Sequence, residues 1–174
     1  MLPAIFYSMK KAEAFYEALR EELRQRSELQ TVGRDTMLTR AGEVENRLYL
    51  IEAGAVRAFY VSESEEHTIR FGYRNSLINS LASWVTGAPS ELYLQAIRKT
   101  SFFALPKAGF EQFLQQPGQA EQFAAVMSLF AVEQMEREID LLTASPLQRL
   151  RRVEQRSPLL FQEVPLRYIA SYLR

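Results

Sequence analysis

Residues 47–61, RLYLIEAGAVRAFYV, decide the fold class of this 174-residue chain. Leu48, Tyr49, Leu50 and Ile51 form a short apolar run of β type. After Glu52-Ala53-Gly54, Val56, Ala58 and Tyr60 alternate with Ala55, Arg57 and Phe59 at the period of two that places alternate side chains on opposite faces of a strand. Gly54 falls where the chain must reverse, and a residue without Cβ takes positive φ there at no steric cost. The stretch therefore reads as a β-hairpin.

Further strands flank it. Gly42 opens a turn in Arg40-Ala41-Gly42-Glu43. Residues 29–32 and 37–39 are short strand candidates separated by Gly33-Arg34-Asp35. Downstream, residues 62–66 read as a polar turn, 67–73 as a strand, and 91–96 and 101–105 as closing strands, with Phe102, Phe103 and Leu105 feeding the core and Pro106 ending the last. Between them, residues 77–90, LINSLASWVTGAPS, read as a short helix and loop whose Trp84, Leu81 and Val85 share one side.

Helical spacing takes over at both ends. Ala12, Phe15, Tyr16, Leu19 and Leu23, behind a Ser8 cap, predict an amphipathic helix over residues 9–26. Phe110, Phe113 and Leu114 mark a short helix stopped by Gln116-Pro117-Gly118. From Gln119 to Thr143 there is no Gly or Pro, and Phe123, Val126, Met127, Phe130, Met135, Ile139 and Leu142 follow a near-heptad course, which predicts the longest helix. This stripe is more apolar than one sheet face needs and suits a parallel two-helix seam; a helix folded wholly onto its own strands is the alternative. Ser145-Pro146 breaks it, with Ser as cap and Pro in the first turn of a new helix over 147–155. Residues 157–160 read as a turn.

Composition narrows the function classes. Formal charge is zero, but from Ser145 onward six arginines face two glutamates, net +4, which leaves −4 on the remainder. An anionic partner is therefore sought at the C-terminal end. The absence of cysteine excludes disulfides and thiolate nucleophiles. A single histidine, His67, cannot build a cupin-type metal centre or a Ser/His/Asp set away from itself, and no phosphate-loop or dinucleotide glycine pattern occurs. The expectation is a non-enzymatic, soluble cytoplasmic protein without cofactor; no run reaches the roughly 18 apolar residues of a membrane span.

The order Gly42, Leu48-Tyr49-Leu50-Ile51, Gly54-Ala55-Val56-Arg57, followed by Val164-Pro165-Leu166-Arg167-Tyr168-Ile169-Ala170-Ser171-Tyr172-Leu173, resembles the Crp/Fnr regulators, from about Leu29 to the last residue. The resemblance implies an α+β fold: a double-stranded β-helix, the cyclic-nucleotide-binding β-roll, with an N-terminal helix, a long C-terminal dimerisation helix and a partial winged-helix remnant. The implied division is a sensor domain with dimer helix over 1–144 and an incomplete helix-turn-helix domain over 145–174. The implied partners are a second copy through the long helix, and DNA, although the recognition helix is missing.

The resemblance places the phosphate-binding cassette at residues 77–90, where relatives carry a glutamate for the ribose and an arginine for the phosphate. Here Ser80 and Ser90 stand in those positions. Each charge-assisted hydrogen bond contributes about 1.5–3 kcal/mol, so cyclic AMP or GMP is not expected to bind tightly in the usual way. The candidate pocket for an unknown small-molecule effector is Asn79, Ser80, Ser90 and Glu91, with Gln134 and Met135 facing the mouth of the roll from the long helix. Candidate DNA-binding residues are Arg167, Tyr168 and Arg174.

Overall fold

The computed structural model describes residues 2–173, with side chains from residue 7 to 173; Arg174 lies outside the described residues. An N-terminal helix, α1 (Leu2–Arg26), precedes eight strands: β1 (Gln30–Val32), β2 (Met37–Thr39), β3 (Arg47–Ala53), β4 (Ala55–Ser62), β5 (Glu65–Tyr73), β6 (Leu77–Ile78), β7 (Tyr93–Ala96) and β8 (Thr100–Pro106). A short helix, α2 (Leu81–Thr86), interrupts them after β6. Five more helical segments follow or close the chain with it: α3 (Lys107–Leu114), α4 (Gln119–Leu142), α5 (Pro146–Arg156), α6 (Pro158–Glu163) and α7 (Leu166–Leu173) complete the order.

The strands form two antiparallel four-stranded sheets, β1-β8-β3-β6 and β2-β7-β4-β5. Consecutive strands β1 and β2, and β3 and β4, lie in different sheets, so the chain winds from one layer to the other. Tyr49, Ile51, Val56, Ala58, Ile78, Leu94 and Phe102, drawn from both sheets, fill the space between them.

The reading of residues 47–61 as a hairpin is corrected here. β3 pairs with β6 and β8, while β4 pairs with β5 and β7. Gly54, at φ +87°, is the corner between layers. A Cβ there would lie 2.7 Å from Thr100 Cα, so the close approach as well as the dihedral requires glycine. The clue is burial: Leu48–Ile51 and Ala55–Phe59 are buried without alternation, because each strand has a neighbour layer on both faces. The tight hairpin is β4–β5, turning on Glu63 and Ser64 alone, both at positive φ (52° and 70°), rather than on the longer polar turn expected over 62–66.

Three further boundaries shift. The first helix is 25 residues against 24 for α4, so α4 is not the longest. Residues 157–160 belong to a helix, because Ser157-Pro158 starts α6 instead of a plain turn. Ser145 caps α5 as expected, its hydroxyl accepting from Gln148 N at 3.4 Å.

α1 and α4 cover the outside of the first sheet. Phe15, Leu19 and Leu23 are almost completely buried with Leu48, Leu50, Phe103 and Phe110, and the Phe15 ring packs on Phe113 at 5.6 Å and Phe123 at 5.3 Å. Each such side chain contributes about 1.5–3 kcal/mol on leaving water. A second cluster fastens α5 to α7 onto the other sheet: Val153, Leu160, Val164, Tyr168 and Ile169 pack with Ala55, Phe71 and Ile97.

Candidate effector site

The cassette between β6 and β7 is braced from below. Glu45, buried, accepts from Thr39 Oγ1 at 2.6 Å and from Arg47 N at 3.0 Å, while its own N–H donates to Ser83 Oγ at 2.9 Å. Ser83 Oγ in turn donates to Ala88 O at 2.6 Å, and Gly87, at φ +74°, closes α2. Lys107 Nζ donates to Trp84 O at 2.6 Å at the end of the same helix.

Ser80 and Ser90 are brought together but turned to each other. Their hydroxyls lie 2.8 Å apart, both residues are buried, and Ser90 Oγ also accepts from Leu92 N at 3.0 Å. The two residues are thus joined by a neutral hydrogen bond. Glu91 beside them is exposed.

Asn79 points elsewhere. It lines a cavity of about 170 Å³ between α1, α2, α4 and strands β3, β5 and β6, whose walls include Tyr16, Leu48, Trp84, Val126 and Phe130. Two nitrogens of these lining residues, Asn79 Nδ2 and Trp84 Nε1, are buried without a hydrogen-bond partner, and unpaired buried donors cost stability unless something accepts from them. Arg70 lines the same cavity, its guanidinium 4.3 Å from the centre of the Phe130 ring, with one nitrogen donating to Leu77 O at 3.2 Å. Burial holds Arg70 below the usual guanidinium value, against the pull of the Glu133 carboxylate. Burial likewise raises the Tyr16 phenol, offset by Arg70.

A second, more polar cavity of about 320 Å³ shares Tyr16, Arg70, Leu77 and Glu133 with the first and extends to Arg156, Ser157 and Tyr172 of the C-terminal helices. Gln134 lines this one. Met135 lines neither and is 64% exposed, while its neighbour Gln134 lines the second. Helical geometry is the reason, since adjacent residues point about a hundred degrees apart.

The C-terminal candidates separate as well. Tyr168 is buried in the cluster on the second sheet, with the Arg57 guanidinium 4.8 Å over its ring, so in this arrangement it is packed away from any partner. Arg167 is exposed and donates to the Tyr168 hydroxyl at 2.6 Å. Arg57 itself is buried, donating through Nε to Gln95 Oε1 at 2.8 Å and pairing with Glu66.

Sequence reasoning missed Arg70, Trp84 and Glu133 as site residues. The available signal was Arg70, a lone cation in the strand Thr68-Ile69-Arg70-Phe71. No cluster of three or more potential metal ligands occurs among the described residues; the His67 ring lies tilted against Tyr60 across the β4–β5 hairpin, centroids 5.0 Å apart.

Among curated proteins no sequence matches this chain significantly. Solved structures do. The catabolite activator protein of Thermus thermophilus aligns at 20% identity and a TM-score of 0.58, covering 73% of this chain and 59% of its own. The c-di-GMP responsive global regulator CLP of Xanthomonas campestris aligns at 13% and 0.63, covering 80% and 70%. The sensor domain of the regulator DNR of Pseudomonas aeruginosa aligns at 17% and 0.53, covering 63% and 78%. The chain therefore spans about three fifths of the length of the Thermus protein, and these likenesses establish the fold. The cyclic nucleotide-binding domain profile matches residues 29–117, just over half the chain. With its two sheets, its cassette and its flanking helices arranged in that order, the chain belongs to the cyclic nucleotide-binding domain family.

Proposed function

We propose that the chain is the effector-sensing and dimerising part of a Crp/Fnr-like transcriptional regulator that does not take cyclic AMP in the manner usual for its family. The observation that carries this reading is the Ser80–Ser90 hydrogen bond at 2.8 Å inside an otherwise intact cassette. Neither Ser80 nor Ser90 offers a phosphate a cation or a ribose hydroxyl a carboxylate. Losing a bidentate arginine costs roughly two to four decades in affinity. Calorimetric titration with cyclic AMP is expected to show no binding at micromolar concentration; saturation in that range would overturn the reading.

Regulation in this proposal passes along α4. Its first half packs on α1 and the roll, while Val132, Met135, Ile139 and Leu142, spaced 3-4-3, stand 46–85% exposed in the second half. That spacing is the a/d pattern of a two-helix seam, and it supports a homodimer in which an effector biases the relation of the paired helices. Residues 145–174 then belong to the DNA-binding part of the regulator, and a cytoplasmic location goes with that role. No helix among the described residues is long and apolar enough to cross a membrane.

A second reading is a ligand-binding and dimerisation module without DNA contact. The burial of Tyr168 and Ile169 against the roll favours it, because a helix packed on the sensor is not free to lie on a duplex. Electrophoretic shift at low ionic strength separates the two, with salt-sensitive DNA binding supporting the first.

A further inference from the structure

We infer that the cavity between α1, α2, α4 and strands β3, β5 and β6 is a binding site for a small apolar monocarboxylate, its head on Arg70 and Asn79 and its tail among Leu48, Leu81, Val126 and Phe130. The inference deepens the effector-sensing proposal and rests on it.

Asn79, Trp84 and Arg70, which line the cavity, carry donors, and two of these donors are buried without an acceptor. Asn79 is 94% buried with an unpaired Nδ2, and the buried Trp84 Nε1 has no partner either. Arg70 carries five N–H donors, of which one nitrogen reaches Leu77 O. Among the described residues no carboxylate comes within ion-pair distance of it. A planar carboxylate accepts from such a guanidinium fork and from an amide together. The opposing charge is Glu133, which also lines the cavity but is exposed, so water screens it while Arg70 is desolvated. Neutralising a desolvated cation while filling an apolar space stabilises the bound form on both counts.

Size and position refine the ligand class. At about 170 Å³ the cavity is smaller than the roughly 300 Å³ at which pockets for drug-sized ligands begin, which fits a medium-length acyl chain. The site lies apart from the Ser80–Ser90 pair, neither of which lines it. Arg70 and Glu133 also line the second cavity, together with Arg156 and Tyr172. A head group on Arg70 therefore sits where the sensor meets the C-terminal helices.

Trp84 is the only tryptophan in the chain and lines the cavity, so its fluorescence reports occupancy. The full chain is titrated with octanoate, octanol and octylamine, which share a tail and differ in head charge. Octanoate is expected to give a saturable change at micromolar to millimolar concentration, with octanol and octylamine at least tenfold weaker. Arg70→Gln is expected to weaken octanoate roughly ten- to a hundredfold, with Arg70→Lys between. Equal binding of octanol, preference for octylamine, or no saturable response to octanoate would overturn the site. If Arg70→Gln does not fold, the order of the three probes on the unmodified protein decides alone. Sedimentation of the same samples reports the dimer independently: octanoate failing with the dimer intact overturns the carboxylate site alone, whereas a strict monomer overturns the sensor-dimer reading.

Discussion

Arg152 on α5 donates through Nε to Asp140 Oδ1 on α4 at 2.8 Å, tying the two helices together across the break at Ser145-Pro146. Asp140 is buried, and its second oxygen takes Arg156 from the next turn of α5. Glu136, one turn earlier on α4, accepts from Arg152 at 2.8 Å. One buried carboxylate thus sets the angle at which the C-terminal helices leave the long helix. Asp140→Ala removes that anchor and leaves two partly exposed arginines to resolvate. Its melting temperature is expected to fall by about 5 °C. Hydrogen exchange should rise over residues 146–173 before it rises in the roll; uniform loss of protection would contradict a local role.

The exposed apolar line on α4 makes a separate prediction. Ile139→Glu places a charge at the middle of the proposed seam, 46% exposed in the single chain. The variant is expected to sediment as a monomer where the unmodified protein sediments as a dimer, with melting of the roll changed little. A dimer that survives the substitution places the subunit contact elsewhere.

Gly54 tests the corner between the sheets. Gly54→Ala asks an L-residue to hold φ +87° with its Cβ against Thr100. The expected loss is roughly 2–4 kcal/mol, seen as a lower denaturant midpoint with an unchanged slope. Gly42→Ala, at φ +90° but with open space around it, should cost less.

Alkaline stability follows from four phenols. Burial raises Tyr16, Tyr49, Tyr73 and Tyr172 above their ordinary value of 10.0. The unfolded chain then loses these protons first, so the stabilisation is complete below pH 10 and declines as pH rises through the folded values. Absorbance titration at alkaline pH should show these tyrosines ionising late, with unfolding free energy falling above pH 10. A flat stability profile through that range would contradict it.

Most strand positions were legible because the polar breaks at Gly33-Arg34-Asp35 and residues 62–66 punctuate apolar runs, whereas the two-residue β6 fell inside a stretch read as helix and loop. Pairing was not. Leu48–Ile51 and Ala55–Phe59 carry the same local signal whether they face each other in one sheet or stand in two, and only burial on both faces distinguishes these cases. The site divided in the same way. Asn79, Ser80 and Ser90 could be located from the cassette pattern, yet that pattern holds nothing to show that two hydroxyls satisfy each other while the amide turns into a separate cavity.

Composition, period and turn residues by themselves determined a β-rich domain between helices and the Ser145-Pro146 break, since each depends on neighbours within a few residues. Tertiary structure decided the two-layer winding, the burial of Tyr168, the outward turn of Met135, and the meeting of Arg70 with Asn79 and Trp84. Those depend on which faces of α1, α2 and α4 converge, and free energy of burial is a property of the assembled core that no local stretch of chain encodes.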